Sequence, residues 1–115
     1  MPYLAFNTNV EIPDAKAESL LKALSAGLAK GTGKPESVVQ VELSGGGRML
    51  MNKTAEPTAY MDVKAIGLPE SAARDTSALL TEIAVRELGV PANRVYIAFA
   101  SYQGAMWGVN GTTFS

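Results

Sequence analysis

Small and apolar residues recur three and four apart at Ala17, Leu20, Leu21, Leu24 and Leu28. They do so again at Ala72, Ala73, Thr76, Leu79, Leu80, Ile83 and Leu88. That spacing gathers them on one face of a helix, so two amphipathic helices are predicted, within 14–30 and 70–86. Elsewhere the period drops to two. Val39, Val41 and Leu43, then Met61, Val63 and Ala65, then Val95, Ile97 and Phe99 alternate with Gln40 and Glu42, then Tyr60, Asp62 and Lys64, then Arg94, Tyr96 and Ala98. Such alternation marks strands with two unlike faces. The first set suits burial against the helices. The second, polar with tyrosines mixed in, suits a wet channel or an interface. A further strand is expected around Leu4–Thr8.

The pattern occurs twice. Gly33-Lys34-Pro35 precedes Val38, Val39, Val41 and Leu43, and Gly89-Val90-Pro91 precedes Val95, Tyr96, Ile97 and Phe99, an offset of 56. The same offset pairs 14–30 with 70–86 and Leu4–Thr8 with Tyr60–Lys64. One domain over 1–115 is expected, with internal repeats at about 2–44 and 58–100 and a C-terminal ribbon at 105–115. Pro13-Asp14 reads as the start of the first helix with Asp14 as its cap, and Gly31 with Gly33 as its exit. Glu18 and Lys22 form a supporting pair one turn apart. Each strand-helix-strand crossover joins parallel strands in the right-handed sense. The fold class is therefore α+β, a two-layer α/β sandwich in which one four-stranded mixed sheet carries both helices on one face. Its edges stay unpaired, and neighbouring copies can cover them by adding strands.

Composition narrows the partners. The 115 residues are 47% hydrophobic and 18% charged, so the chain is globular and its surplus apolar surface points to self-association. Ten basic and eleven acidic residues give a net charge of −1 without blocks of one sign, which argues against nucleic acid. Neither a basic, then apolar leader nor a run near eighteen apolar residues is present, so no membrane partner is expected and a cytoplasmic location is the default. The chain has no cysteine and no histidine. Disulfides, thiol nucleophiles, Ser-His-Asp catalysis and the common zinc sites are thereby excluded, and neither metal nor cofactor is expected. Few general bases remain.

Four short stretches invite chemistry. "GTGKP" at 31–35 looks like a phosphate loop, but Leu28 stands where its first glycine belongs and Pro35 where the magnesium-binding hydroxyl belongs. "SGGGR" at 44–48 reads as a flexible turn rather than an anion nest. The tail "AMWGVNGTTFS" is either a docked ribbon or an aromatic wall for a small apolar ligand. Pro2, behind the initiator methionine, is tolerated at a strand's first residue for want of an N–H. Once Met1 is trimmed, it also becomes a rigid secondary amine able to act as a general base.

"MPYLAFNTNV" at the start, "TGKPESV" at 32–38, "EPTAYMDVKAIG" at 56–67, "NRVYIAF" at 93–99 and "WGVNGTTF" at 107–114 follow in order on the duplicated unit. Together they resemble the macrophage migration inhibitory factor family of the tautomerase superfamily over essentially the whole chain. The resemblance implies a homotrimer whose sheets surround a central channel, with sites between adjacent subunits. It implies keto-enol tautomerisation of phenylpyruvate-type 2-oxo acids and dopachrome analogues, with Pro2 as the base. Lys34 matches the family lysine that holds the substrate carboxylate, and the Ile66 backbone N–H matches a second anchor. Tyr96, Trp107 and Phe114 fall at positions lining the aromatic pocket, with Tyr3 and Val109 nearby.

Such a base must be unprotonated near neutrality, whereas an α-amine titrates at about 8. Burial in an apolar pocket lowers that value. Positioning and stabilisation of the enolate must supply most of the rate. The sequence departs from the family at Ala98, Val38 and Val109, where an asparagine, a tyrosine and an aromatic are common, and Trp107 adds bulk in exchange. "TAYM" at 58–61 replaces the Cys-x-x-Cys of some members, so thiol oxidoreductase activity does not carry over. Two rival readings stand beside catalysis. One is a cytokine-like signalling factor that binds a protein receptor after export without a signal peptide. The other is a trimer made inert by a retained Met1.

Overall fold

Both predicted helices form, and the same two devices bound each of them. In this computed structural model, which describes residues 1–114, α1 spans Asp14–Thr32 and α2 spans Glu70–Leu88. Pro13 (φ −61°) and Pro69 (φ −78°) hold the N-cap positions, their φ preset by the ring. Asp14 is therefore the first helical residue and not the cap, and its carboxylate makes no capping bond. It serves the positive helix end by charge alone. At the other ends Gly33 (φ 72°) and Gly89 (φ 71°) turn left-handed and return their N–H groups to Ala29 and Val85 at 2.9 and 3.0 Å.

Gly31 is not part of the exit. It lies inside α1 at the crossing with α2, where an added Cβ would collide with the Thr76 hydroxyl and stand 2.9 Å from the Thr76 Cα. Gly27, one turn earlier, meets Ile83 in the same way at 2.8 Å. Two side-chain-free positions let the antiparallel helices approach closely. The contact buries the Thr76 hydroxyl without a partner among the described residues.

The strands are β1 (Pro2–Thr8), β2 (Gln40–Ser44), β3 (Ala59–Ile66) and β4 (Val95–Tyr102), in the order β2-β1-β3-β4. β1 runs parallel to β2 and β3 parallel to β4, while β1 and β3 are antiparallel neighbours. This is the expected two-layer α+β sandwich. Leu4, Phe6, Met61 and Val63 on the sheet pack with Leu20, Leu24, Leu28, Leu80, Ile83 and Val90 in one core. Each such fully buried large side chain stabilises the fold by about 2 kcal/mol. The edge strands β2 and β4 have no partner on their outer sides among the described residues.

The offset of 56 holds for helices and second strands and fails for the first strands. Pro2, Leu4, Phe6 and Thr8 are buried, as are Ala59, Met61, Val63 and Ala65. An offset of 56 would pair buried Leu4 with exposed Tyr60. Because strand side chains alternate, only an odd offset preserves the buried face, and 57 matches Pro2 to Ala59 and Leu4 to Met61.

After Tyr102 the chain makes a short 3₁₀ turn at Gly104–Met106 and a hairpin of β5 (Gly108–Val109) and β6 (Thr112–Thr113). Asn110 (φ 48°) and Gly111 (φ 79°) form its two-residue turn, as the primed turn of a tight hairpin requires. The glycines at 45–47 are pinned rather than loose. Gly46 and Gly47 donate to the carbonyls of Val10 and Thr8 at 2.9 and 3.2 Å, which leaves those N–H groups committed and unfit for an anion nest.

Candidate functional site

Pro2 opens β1 opposite Ala65 of β3, and its ring is fully buried on the helix-facing side of the sheet. Met1 is half-buried ahead of it. The amino group on Met1 is held below its ordinary value, first by desolvation and then by the Lys34 ammonium. The Lys34 charge is thus felt at the chain's beginning. The sequence explains how: left-handed Gly33 ends α1, Pro35 starts the next turn at Glu36–Val38, and Lys34 projects between them, half-buried.

Ile66 ends β3 one residue beyond the partner of Pro2 and pairs with Tyr102 of β4. Tyr102 in turn meets Trp107 edge-on, with ring centroids 5.8 Å apart and planes at 80°, a favoured aromatic geometry. Trp107 is thereby tied to the same end of the sheet as Pro2. Val109 is half-buried in the hairpin that follows. Phe114 is 38% exposed, and its N–H donates to the carbonyls of Gly104 at 3.1 Å and Trp107 at 3.3 Å. The tail is thus both a docked ribbon and a carrier of aromatic surface.

Tyr3 and Tyr96 do not join this group. The Tyr3 side chain crosses to the open face of the sheet, where its hydroxyl donates to Glu42 Oε1 at 3.0 Å. That hydrogen bond, with desolvation and the Glu42 and Asp62 charges, holds the phenol above its ordinary value. Lys64 and Asp62 pair beside it at 3.7 Å, so this face is polar as its sequence alternation predicted. Tyr96, 64% exposed, stands at the start of β4. The cross-strand row of Pro2 passes through Ala65 to Ser101, five residues from Tyr96 along β4 and so roughly 17 Å away at about 3.3 Å per residue. Tyr96 lines a separate cleft of about 440 Å³ with Met51, Asn52, Asn93 and Arg94. Another cleft, of about 490 Å³ and lined by Asn9, Gly47, Arg48, Met49, Leu50 and Ala55, contains none of the predicted site residues.

The segment beside these clefts is held by two residues that sequence reasoning missed. The Asn9 side-chain amide donates to the carbonyls of Ala55 (3.0 Å) and Glu56 (3.1 Å) and accepts from the Thr58 N–H (2.9 Å). Arg94 binds four further carbonyl contacts of the same segment. One signal was available. At the position matching Arg94, the first repeat carries Val38.

No group of three acidic, histidine or cysteine side chains among the described residues could hold a metal ion. What the Pro2 end offers is a buried proline behind a half-buried amino terminus, an ammonium and an aromatic rim.

The macrophage migration inhibitory factor (MIF) family profile matches residues 1–115. The macrophage migration inhibitory factor homolog of Brugia malayi is 33% identical over 115 residues, covering 99% of each chain. The crystal structure of the homologue from Prochlorococcus marinus superposes with a TM-score of 0.92 at 38% identity, covering 98% of this chain and 99% of that one. The protein Pt0534, solved after inactivation by 2-oxo-3-pentynoate, shares the fold at TM-score 0.85 and 23% identity, covering 96% and 93%. The chain belongs to the macrophage migration inhibitory factor family.

Proposed function

We propose that the protein is a homotrimeric keto-enol tautomerase, acting without cofactor on phenylpyruvate-type 2-oxo acids and dopachrome-like analogues. The observation that carries this reading is the fully buried Pro2 ring behind a half-buried Met1, whose amine is held below its ordinary value by desolvation and by the Lys34 charge. Removal of Met1 turns the Pro2 nitrogen from an amide into a secondary amine, one residue deeper in the same surroundings. There the free base is favoured near neutrality. In the mechanism, Pro2 moves a proton between the carbon next to the carbonyl and the enol oxygen. The Lys34 ammonium holds the carboxylate, with the Ile66 N–H as second anchor, and Trp107, Phe114 and Val109 enclose the ring.

Tyr96 argues for the assembly. It stands at the far end of the sheet from Pro2 in its own chain, so it serves as a pocket wall only for a neighbouring copy. The open edges of β2 and β4 supply the means of association. Pt0534 adds chemical support, since a small 2-oxo acid inactivates that protein.

The deciding experiment is the pH dependence of phenylpyruvate ketonisation on protein whose intact mass shows Met1 absent. A rate that rises with pH through an apparent pKa well below about 8 is expected. No rate above buffer on Met1-free protein would overturn the reading and direct attention to a receptor-binding role.

A further inference from the structure

The guanidinium of Arg94 is bound wholly by backbone. Its Nε–H donates to the Pro57 carbonyl at 2.8 Å, Nη1 to Met51 at 3.0 Å, and Nη2 to Glu56 at 2.9 Å and Thr54 at 3.3 Å. Arg94 has no ion-pair partner among the described residues. A planar fork with five fixed donors meets these four carbonyls together, which a lysine ammonium on a flexible stem cannot do. The Arg94 carbonyl also accepts from the Thr58 hydroxyl at 2.7 Å, so the segment is tied to the start of β4 at both of its ends. Within it, Met51 and Thr54 exchange backbone hydrogen bonds of 3.0 and 3.1 Å across Asn52 (φ 50°) and Lys53 (φ 65°). This is a primed turn, in which Asn52 is an ordinary first residue and Lys53 stands where glycine is favoured, so its left-handed backbone needs support from its surroundings.

This clasp is not a requirement of the repeat. The first half builds the same proline-led 3₁₀ turn at Glu36–Val38, with Val39 N–H to Glu36 at 3.1 Å, and has Val38 at the matching position. What the second half has in addition is the cleft in which Arg94 and Tyr96 stand together with Met51 and Asn52.

We propose that Arg94 is a positioning residue for tautomerisation: by clasping residues 51–57 against β4 it sets the Tyr96 ring as a wall of the site. The proposal rests on the tautomerase reading and on Tyr96 serving a neighbouring copy. Arg94 touches no reacting atom and acts through Tyr96. Its loss therefore weakens substrate binding and leaves proton transfer at Pro2 intact.

The test compares phenylpyruvate ketonisation by Met1-free wild type, Arg94→Lys, Tyr96→Ala and the double variant. Arg94→Lys is expected to raise KM about tenfold, keep kcat within about twofold and leave the pH–rate midpoint unmoved. In the Tyr96→Ala background the same change is expected to alter KM less than about twofold, because coupled residues are non-additive. An unchanged KM in Arg94→Lys, or its full effect persisting without the tyrosine ring, overturns the proposal while wild-type activity leaves the tautomerase reading standing. Inactive wild type overturns both. Should Arg94→Lys fail to fold, NMR titration of the wild type with phenylpyruvate decides. Shifts at Tyr96, the Arg94 Nε–H and the Thr54 amide support the proposal, and shifts confined to Pro2 and Lys34 overturn it.

Discussion

The two halves of the chain are near copies in architecture and unlike in chemistry. Both helices have 19 residues, both begin behind proline and end on left-handed glycine, and both lead through a proline-capped 3₁₀ turn into a strand. At matched positions the side chains diverge. Lys34 answers to Val90, which is wholly buried, Val38 to Arg94 and Gln40 to Tyr96. Pro2 answers to Ala59 through the odd offset of the first strands. The bounds of the helices agree between the halves, while the positions that carry candidate chemistry lie among those where the halves disagree. The specialisations are also complementary. The first half holds the amine and the ammonium, the second holds the clasp and the aromatic, and within one chain they stand at opposite ends of the sheet.

The largest expected effect removes the first half's distinction outright. Pro2→Gly keeps an amine after Met1 removal but loses the ring that fixes it, and kcat/KM for phenylpyruvate ketonisation is expected to fall about 100-fold or more. Thermal unfolding should remain cooperative, and a melt recorded on the same sample checks that the loss is chemical.

Matched substitutions at 34 and 90 then sharpen the contrast. Lys34→Ala is expected to raise KM about tenfold, the worth of about 1.4 kcal/mol, with little change in stability because the side chain is only half-buried. Val90→Ala removes two core methyls and is expected to cost about 2 kcal/mol of stability. Its KM should not change. Denaturant melts beside steady-state kinetics on both variants would show one position working in binding and its counterpart working in packing.

A smaller effect is expected where the helices cross. Gly31 answers to Glu87 and Gly27 to Ile83, so α1 offers hollows where α2 offers side chains. In a free helix Gly→Ala gains about 1 kcal/mol. At Gly31 the new methyl meets the Thr76 Cα at 2.9 Å, a backbone atom that cannot swing aside, and overpacking of this kind costs about 1–3 kcal/mol. Clash outweighs propensity, and Gly31→Ala is expected to destabilise by about 1 kcal/mol, readable as a lower urea midpoint at constant m.

Much of this was legible in the sequence because it rests on periodicity. Leu20, Leu24 and Leu28 mark a helix face and Met61, Val63 and Ala65 a strand face whatever surrounds them, and the parallel pairing follows from the crossovers. The 2-oxo acid and the roles of Lys34 and Ile66 came from the family resemblance, not from spacing, whereas Pro2 was marked as a candidate base by its place behind Met1 and the resemblance gave it a reaction. What stayed hidden depends on contacts without a period. Arg94 and Asn9 bind carbonyls, which every residue has, so nothing in the loop sequence announces them. Asp14 looked like a cap because the residue type suits one, but Pro13 was already preset to hold that position. The distance between Pro2 and Tyr96 becomes visible only once the strand register is known, and the odd offset of β1 required knowing which face was buried.

The smallest expected effect lies at the counterpart of Gly31. Glu87 accepts from Arg86 Nε at 3.2 Å and from Lys16 Nζ at 3.3 Å, the latter joining the end of α2 to the beginning of α1. These contacts hold its carboxyl below the ordinary range, the Arg86 hydrogen bond first and the Lys16 hydrogen bond second. A carboxylate depressed in the folded state stabilises the fold above its unfolded value of about 4.3 and loses that contribution as the pH falls through the folded one. Glu87→Gln is therefore expected to lower Tm slightly at neutral pH, with the difference closing as the pH falls below about 4.3 and through the depressed folded value. The pair is solvent-accessible, so added salt should shrink the neutral-pH difference as well. A gap that persists at low pH would mean Glu87 contributes through packing, as the residues around its glycine counterpart do, and the two helices would then differ in side-chain volume alone and not in charge.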